Sequence, residues 1–121
     1  MMLRVVVLVG VVACLACGDS GTIGGAYSGS CDLRASFGLC NEYDSQAPGD
    51  AGRLASDCAT VGASWSDTAR CPRAGIIGGC RLPDSAVSGN LTAWYYPGSG
   101  YSTADDVRAY CESKGGTFQS P

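Results

Sequence analysis

Eight cysteines, a single lysine and no histidine among 121 residues decide which chemistry is open to this chain. Without an imidazole there is no Ser-His or Cys-His nucleophile pair. A Ser-Lys dyad would have to use Lys114, which reads more simply as the cation closing a helix. Asp105 and Asp106 are neighbouring carboxylates, but adjacent helix residues point apart, and acids at a helix start are routine. A glycosidase-like pair built from Glu42 and a distant aspartate has no further support in the sequence. Gly78-Gly79 falls in a strand-like stretch, where a bulge or close packing against Cys80 is the ordinary reading. The expectation is a non-enzymatic chain with no cofactor and no metal.

The cysteines are the remaining reactive groups. Cys31, Cys40, Cys58, Cys71, Cys80 and Cys111 lie at intervals of 9, 18, 13, 9 and 31 residues. No C-x-x-C occurs, so neither a thioredoxin-like pair nor a zinc ribbon is signalled. Structural disulfides are expected, and six cysteines allow fifteen connectivities that sequence leaves open. The two nine-residue intervals, Cys31–Cys40 and Cys71–Cys80, suggest hairpin staples. Cys58 and Cys111 are expected to tie helix to sheet.

Disulfides need an oxidising compartment, and the N-terminus speaks to that. Arg4 precedes an apolar run from Val5 to Ala16, too short to span a bilayer as a helix and suited to a signal segment. The run ends in small residues and a cysteine, which resembles the lipobox cut by the lipoprotein signal peptidase. Cys14, after Val11-Val12-Ala13, is the better local match. Cys17 allows a more normal apolar length, and cleavage before it leaves six thiols that can all pair rather than seven. Cys17 is the expected lipid acceptor, with Cys14 the alternative. Residues 1–16 are then a signal peptide, 17–30 a lipidated cysteine and Gly/Ser-rich tether, and 31–121 a Cys-rich domain. Without Arg4 the chain carries seven basic and eleven acidic residues, a net of about −4. It has no basic stripe, so nucleic acid is not an expected partner. Membrane contact is expected through the acyl anchor alone, on the outer or inner membrane, facing periplasm or surface.

Two helices must position the domain's cysteines. The first is predicted from about Asp50 to Val61: Asp50 is an N-cap candidate, and Ala51, Leu54, Ala55, Cys58 and Val61 recur at helical spacing before Gly62 stops the run. The second runs from Thr103 to Lys114, with Thr103 as cap, Asp105 and Asp106 in the first turn, and Ala104, Val107, Tyr110 and Cys111 inward, before Gly115. The rest reads as extended. Cys31–Ala35 and Leu39–Tyr43 flank a turn at Ser36-Phe37-Gly38, and Gly75–Leu82 and Leu91–Tyr96 flank a polar loop. Trp65 and Phe118 follow the helices in short return segments. Shifting the chain by 53 residues lays Tyr43 on Tyr96, Ala51 on Ala104, Cys58 on Cys111 and Gly62 on Gly115. That suggests an α+β domain of two tandem ββα-like units, with two helices on one face of an antiparallel sheet. Leu54, Val107, Trp65, Phe118, Trp94 and the tyrosines would be buried together.

Taken in order, Cys40-x-Glu42-Tyr43, a helix cysteine, Gly62-x-x-Trp65, Cys71-Pro72, Gly78-Gly79-Cys80, Tyr95-Tyr96, a second helix cysteine and Gly115-Gly116-x-Phe118 form a spacing pattern over residues 40–119. The pattern resembles a group of uncharacterised small Cys-rich lipoproteins of Gram-negative bacteria. The resemblance points to no particular activity and offers no functional residue to carry over.

Trp94, Tyr95, Tyr96 and Tyr101 cluster within eight residues. Strand alternation puts Trp94 and Tyr96 on one face and Tyr95 on the other, so one face is expected outward or near an edge. Trp94, Tyr95 and Tyr101 are the candidate binding surface for an envelope protein or glycan, against a reading as plain core. A second function fits the cysteines: a disulfide-rich inhibitor of a protease or lysozyme, presenting Pro72–Gly79 as a loop stapled between Cys71 and Cys80.

Overall fold

The computed structural model describes residues 26–83 and 89–121. The signal segment, both candidate lipid acceptors and the first part of the tether lie outside them.

In chain order the elements are β1 (Tyr27–Leu33), α1 (Arg34–Phe37), β2 (Leu39–Asp44), α2 (Asp50–Thr60), β3 (Ser64–Ser66), β4 (Gly78–Pro83), β5 (Asn90–Tyr95), α3 (Ala104–Ser113) and β6 (Thr117–Gln119). The strands form one six-stranded sheet in the order β3-β1-β2-β5-β4-β6, and every neighbouring pair whose register is defined runs antiparallel. The fold is α+β.

Register sorts the side chains. Cys31 stands opposite Asn41, Asn41 opposite Ala93 and Ala93 opposite Cys80, so these four share one face. Leu54 and Cys58 of α2 pack there with Cys31 and Tyr43. Val107 and Cys111 of α3 pack there with Cys80, Ala93 and Tyr95. Both long helices therefore cover the same face. The opposite face buries Cys40, Trp94 and Tyr96 with Cys71, under the segment that joins β3 to β4. Trp94 thus belongs to a different core from Leu54 and Val107, contrary to the single pooled core expected from the sequence.

Helix ends follow their caps. Thr103 Oγ1 accepts from the Asp106 N–H at 3.1 Å while Asp106 accepts from the Thr103 N–H at 3.0 Å, a capping box. The Asp106 carboxyl is held below its usual value chiefly by its Thr103 partner. At α2 the cap is Gly49 rather than Asp50. Both long helices stop the same way. Gly62 N–H reaches Ala59 O and Ala63 N–H reaches Cys58 O; Gly115 N–H reaches Glu112 O and Gly116 N–H reaches Cys111 O. These are Schellman closures with the glycines at φ 72° and 74°, and in each the disulfide cysteine supplies the final carbonyl.

Two expectations change. Tyr27–Ser30, read as the end of a tether, are strand. Gly29 misled because its missing side chain serves packing: a Cβ there would lie 2.2 Å from the Trp65 ring. The turn at residues 36–38 is part of one helical turn, α1, closed by Gly38 in the left-handed region.

Candidate functional site

The helix-free face carries the charge. Ser30, Glu42, Thr92 and Arg81 stand abreast across β1, β2, β5 and β4, and Asp44 sits two residues along from Glu42 on the same side. Over them passes the β3–β4 connection as a strap. Cys71 is bonded to Cys40. Glu42 Oε1 accepts from the Cys71 N–H at 3.1 Å and from Arg73 Nη1 at 2.6 Å; Oε2 accepts from Arg70 Nη1 at 3.0 Å. The Ser30 hydroxyl donates to the Ala69 carbonyl at 2.6 Å, as does the Tyr27 hydroxyl, and the Tyr96 hydroxyl donates to the Pro72 carbonyl. Burial raises both phenols above their ordinary value, so they remain protonated donors. Arg81 pairs with Asp44 at 3.2 Å.

Three guanidinium groups are fixed twice over. Arg70 pairs with Glu42 and lies over the Tyr27 ring at 4.2 Å; Arg73 pairs with Glu42 and lies over Trp94 at 4.6 Å. Arg34 grips Asp32 with two nitrogens, at 2.9 and 2.8 Å, and lies over Tyr96 at 5.4 Å. The Arg34 hydrogen bond holds the Asp32 carboxyl below its usual value. A carboxylate placed as Glu42 is occupied by four N–H donors from Arg70, Cys71 and Arg73. What such an arrangement offers outward is planar cations in set orientations, suited to carboxylate or phosphate oxygens.

Among the described residues, two hollows lie against the sheet. One of ≈ 210 Å³ lies beside the strap and is lined by Ser30, Asp32, Cys40, Ser64, Ser66 and Arg70, among others. The other, of ≈ 160 Å³, lies along α2 on the helix-bearing face between Leu33, Asn41, Leu54, Asp57 and Val61. Asn41 Oδ1 makes no hydrogen bond to the protein.

The residues singled out from the sequence separate. All six domain cysteines are bonded, as Cys31–Cys58, Cys40–Cys71 and Cys80–Cys111. Cys58 and Cys111 tie helix to sheet. The hairpin staples do not form. Cys40 stands opposite Asp32, one position off Cys31, so Cys31 and Cys40 point to opposite faces. Cys80 faces the helices while Cys71 lies over the other face, so residues 72–79 are not closed by a bridge between them.

The aromatic run divides the same way. Trp94 and Tyr95 are buried, because β5 is an interior strand with both faces covered. Trp94 lies under Arg73, and Gly79 makes room, since a Cβ there would sit 2.6 Å from its ring. Tyr95 meets Tyr101 edge-on at 5.2 Å and Tyr110 at 6.2 Å. Its hydroxyl is pushed up to about 12, first by burial and then by those tyrosines. Of the three, only Tyr101 is half exposed, so they do not form a shared outward surface.

The arginine layer was missed. Its sequence signal is Arg70-Cys71-Pro72-Arg73, two cations flanking a cysteine, together with Glu42 at a position that alternates with Cys40. Among the described residues no group of three or more Cys, Asp or Glu is placed to hold a metal ion, and no helix is long and apolar enough to cross a membrane. No family model, curated protein sequence or solved structure matches the chain.

Proposed function

We propose that the chain is an exported, lipid-anchored protein of the cell envelope whose α+β domain acts as a binding or structural module rather than as an enzyme. Three disulfides that engage every cysteine of the described residues carry this reading, because such bonds form and persist in oxidising, exported compartments. The signal-like N-terminus, the small residues before Cys17 and the likeness to small Cys-rich envelope lipoproteins support it. The membrane is reached through the N-terminal lipid anchor, and the domain's partner is an envelope protein or a glycan rather than nucleic acid.

The domain also reads as two tandem ββα-plus-strand units. Support comes from the 53-residue offset, the matched bridges Cys31–Cys58 and Cys80–Cys111, the paired Schellman closures, and a sheet order in which each return strand lies at an edge. Intact mass of the mature protein before and after thiol alkylation tests the main reading. A diacylated N-terminal Cys17 and no alkylated thiol are expected; retention of residues 1–16 or a reactive thiol overturns it.

The inhibitor reading keeps one observation. Residues 72–75 are exposed and held at both ends, by Cys40–Cys71 and by the Ile77 N–H on the Tyr95 carbonyl at 2.7 Å. A panel of proteases and lysozymes assayed with micromolar protein tests it, and absence of inhibition removes it.

A further inference from the structure

The arginines of the helix-free face form a layer with a definite sign. Glu42 is 4% exposed, whereas Arg34, Arg70 and Arg73 are 40%, 45% and 47% exposed. Glu42 serves two guanidinium groups, so Arg70 and Arg73 leave one positive charge uncompensated above a buried carboxylate, whereas Arg34–Asp32 (40% and 35% exposed) and Arg81–Asp44 are one-to-one pairs. Across the sheet the sign reverses: α2 and α3 together carry five carboxylates against two arginines. The strap therefore carries a local cationic patch at Arg70 and Arg73 although the chain is net −3. Charges on exposed groups act over about 8 Å at physiological salt. A helix packed on a sheet is thicker than that, at about 10 Å, so a flat anionic layer against the arginines is screened from the acids behind.

Tyr27 opens β1, and its ring lies beneath Arg70. From Cys17 to Tyr27 the chain reaches no further than about 35 Å even fully extended. We infer that, beyond the anchor-only contact expected from composition, the helix-free face docks on anionic phospholipid headgroups of the membrane that anchors the chain, with Arg34, Arg70 and Arg73 meeting phosphate oxygens. This rests on the lipid-anchored reading above. The guanidinium fork takes phosphate in a bidentate manner, and the rings beneath fix its plane. The serine-lined hollow of ≈ 210 Å³ opens beside Arg70; its Asp32 is already neutralised by Arg34. An anchor raises the effective headgroup concentration, so contacts that recruit the free protein only at low salt suffice to orient a tethered one. That favours lipid over a soluble polyanion, which nothing holds nearby.

The test uses residues 18–121 without lipid, which contain every strand, helix and disulfide described. The protein is sedimented at low salt with vesicles of phosphatidylcholine, with and without phosphatidylglycerol. Binding is expected only to the anionic vesicles, declining as salt rises. Arg34→Gln with Arg73→Gln should lower partitioning about twenty-five-fold, at about fivefold per arginine. Arg108→Gln with Lys114→Gln, on the helix side, should leave it unchanged. Since Arg73 also holds Glu42, Arg34→Gln alone keeps the strap intact and should still cost about fivefold. No preference for phosphatidylglycerol, or an equal loss from the helix-side pair, overturns the inference. Retention on an acidic polysaccharide with no vesicle binding overturns it as well and reassigns the face to a glycan. An unmodified Cys17 in the mass measurement removes the anchor without altering the vesicle result, so the two failures are distinguishable.

Discussion

On one side of the sheet two helices bury Leu54, Cys58, Val107 and Cys111 against apolar strand residues; on the other an irregular strap lies over carboxylates, hydroxyls and guanidinium groups. The difference follows from what does the covering. A helix satisfies its own backbone, so it can close an apolar face with side chains alone. An irregular segment brings unpaired N–H and C=O groups, and burying those without partners is costly. Glu42 takes the Cys71 N–H, Tyr27 and Ser30 take the Ala69 carbonyl, and Tyr96 takes the Pro72 carbonyl. The polar row under the strap is the complement of a non-helical cover.

The comparison is sharpest at two disulfides. Cys40–Cys71 and Cys80–Cys111 have the same sequence separation, 31 residues, one under each cover. Loop entropy alone assigns each about 4 kcal/mol. Replacing Cys80 and Cys111 by alanine should cost more than that in urea melts, because it also opens space in the apolar core. The Cys40/Cys71 double variant also opens space, beside Trp94 and Tyr96, but should cost less than its counterpart, since Glu42 still holds the strap; equal losses would break the distinction. Next in size, Glu42→Gln should cost about 2–3 kcal/mol through weakened charged hydrogen bonds. Leu54→Ala under α2 should cost about 2–5 kcal/mol. Only the Glu42 effect should shrink as salt rises.

Smaller again, Gly62→Ala and Gly115→Ala should each cost about 1–2 kcal/mol. Neither added Cβ meets an atom within 4 Å, so backbone conformation is the whole effect. Equal costs support two like units; a several-fold difference counts against them. Least visible at neutral pH is the phenol of Tyr95. Its folded value, raised from 10.0 to about 12, means the unfolded chain ionises first. Its contribution to stability is complete below pH 10 and is lost as pH rises toward about 12. An ultraviolet titration of the wild type against Tyr95→Phe should remove the last phenol to ionise.

Local signals were readable in the sequence, and long-range ones were not. The two helices carry their caps, periodicity and stop glycines within a dozen residues each, so Thr103, Gly62 and Gly115 were legible. That Cys58 and Cys111 reach the sheet follows from their place on the apolar stripe. Their partners do not, because the Cys31–Cys40 spacing hides a register parity that puts the two sulfurs on opposite faces. Gly29 looked like linker because a glycine that admits a tryptophan ring and one that loosens a chain are the same letter. Glu42 meets Arg70 and Arg73 across 28 and 31 residues, a distance that no periodicity spans. The burial of Trp94 and Tyr95 turned on β5 being interior, which is a property of strand order.

The disulfide map also sets an order of events. A chain exported N-terminus first presents Cys31, then Cys40, then Cys58. Pairing by arrival would join Cys31 to Cys40 and Cys58 to Cys71, and both bonds are wrong, because Cys31–Cys58 and Cys40–Cys71 interleave. Cys80 and Cys111, by contrast, arrive consecutively and belong together. Bonds made in order of arrival would reach the map of the first half only through thiol–disulfide exchange, a process of seconds to hours that an isomerase shortens. The second half can be correct at its first oxidation.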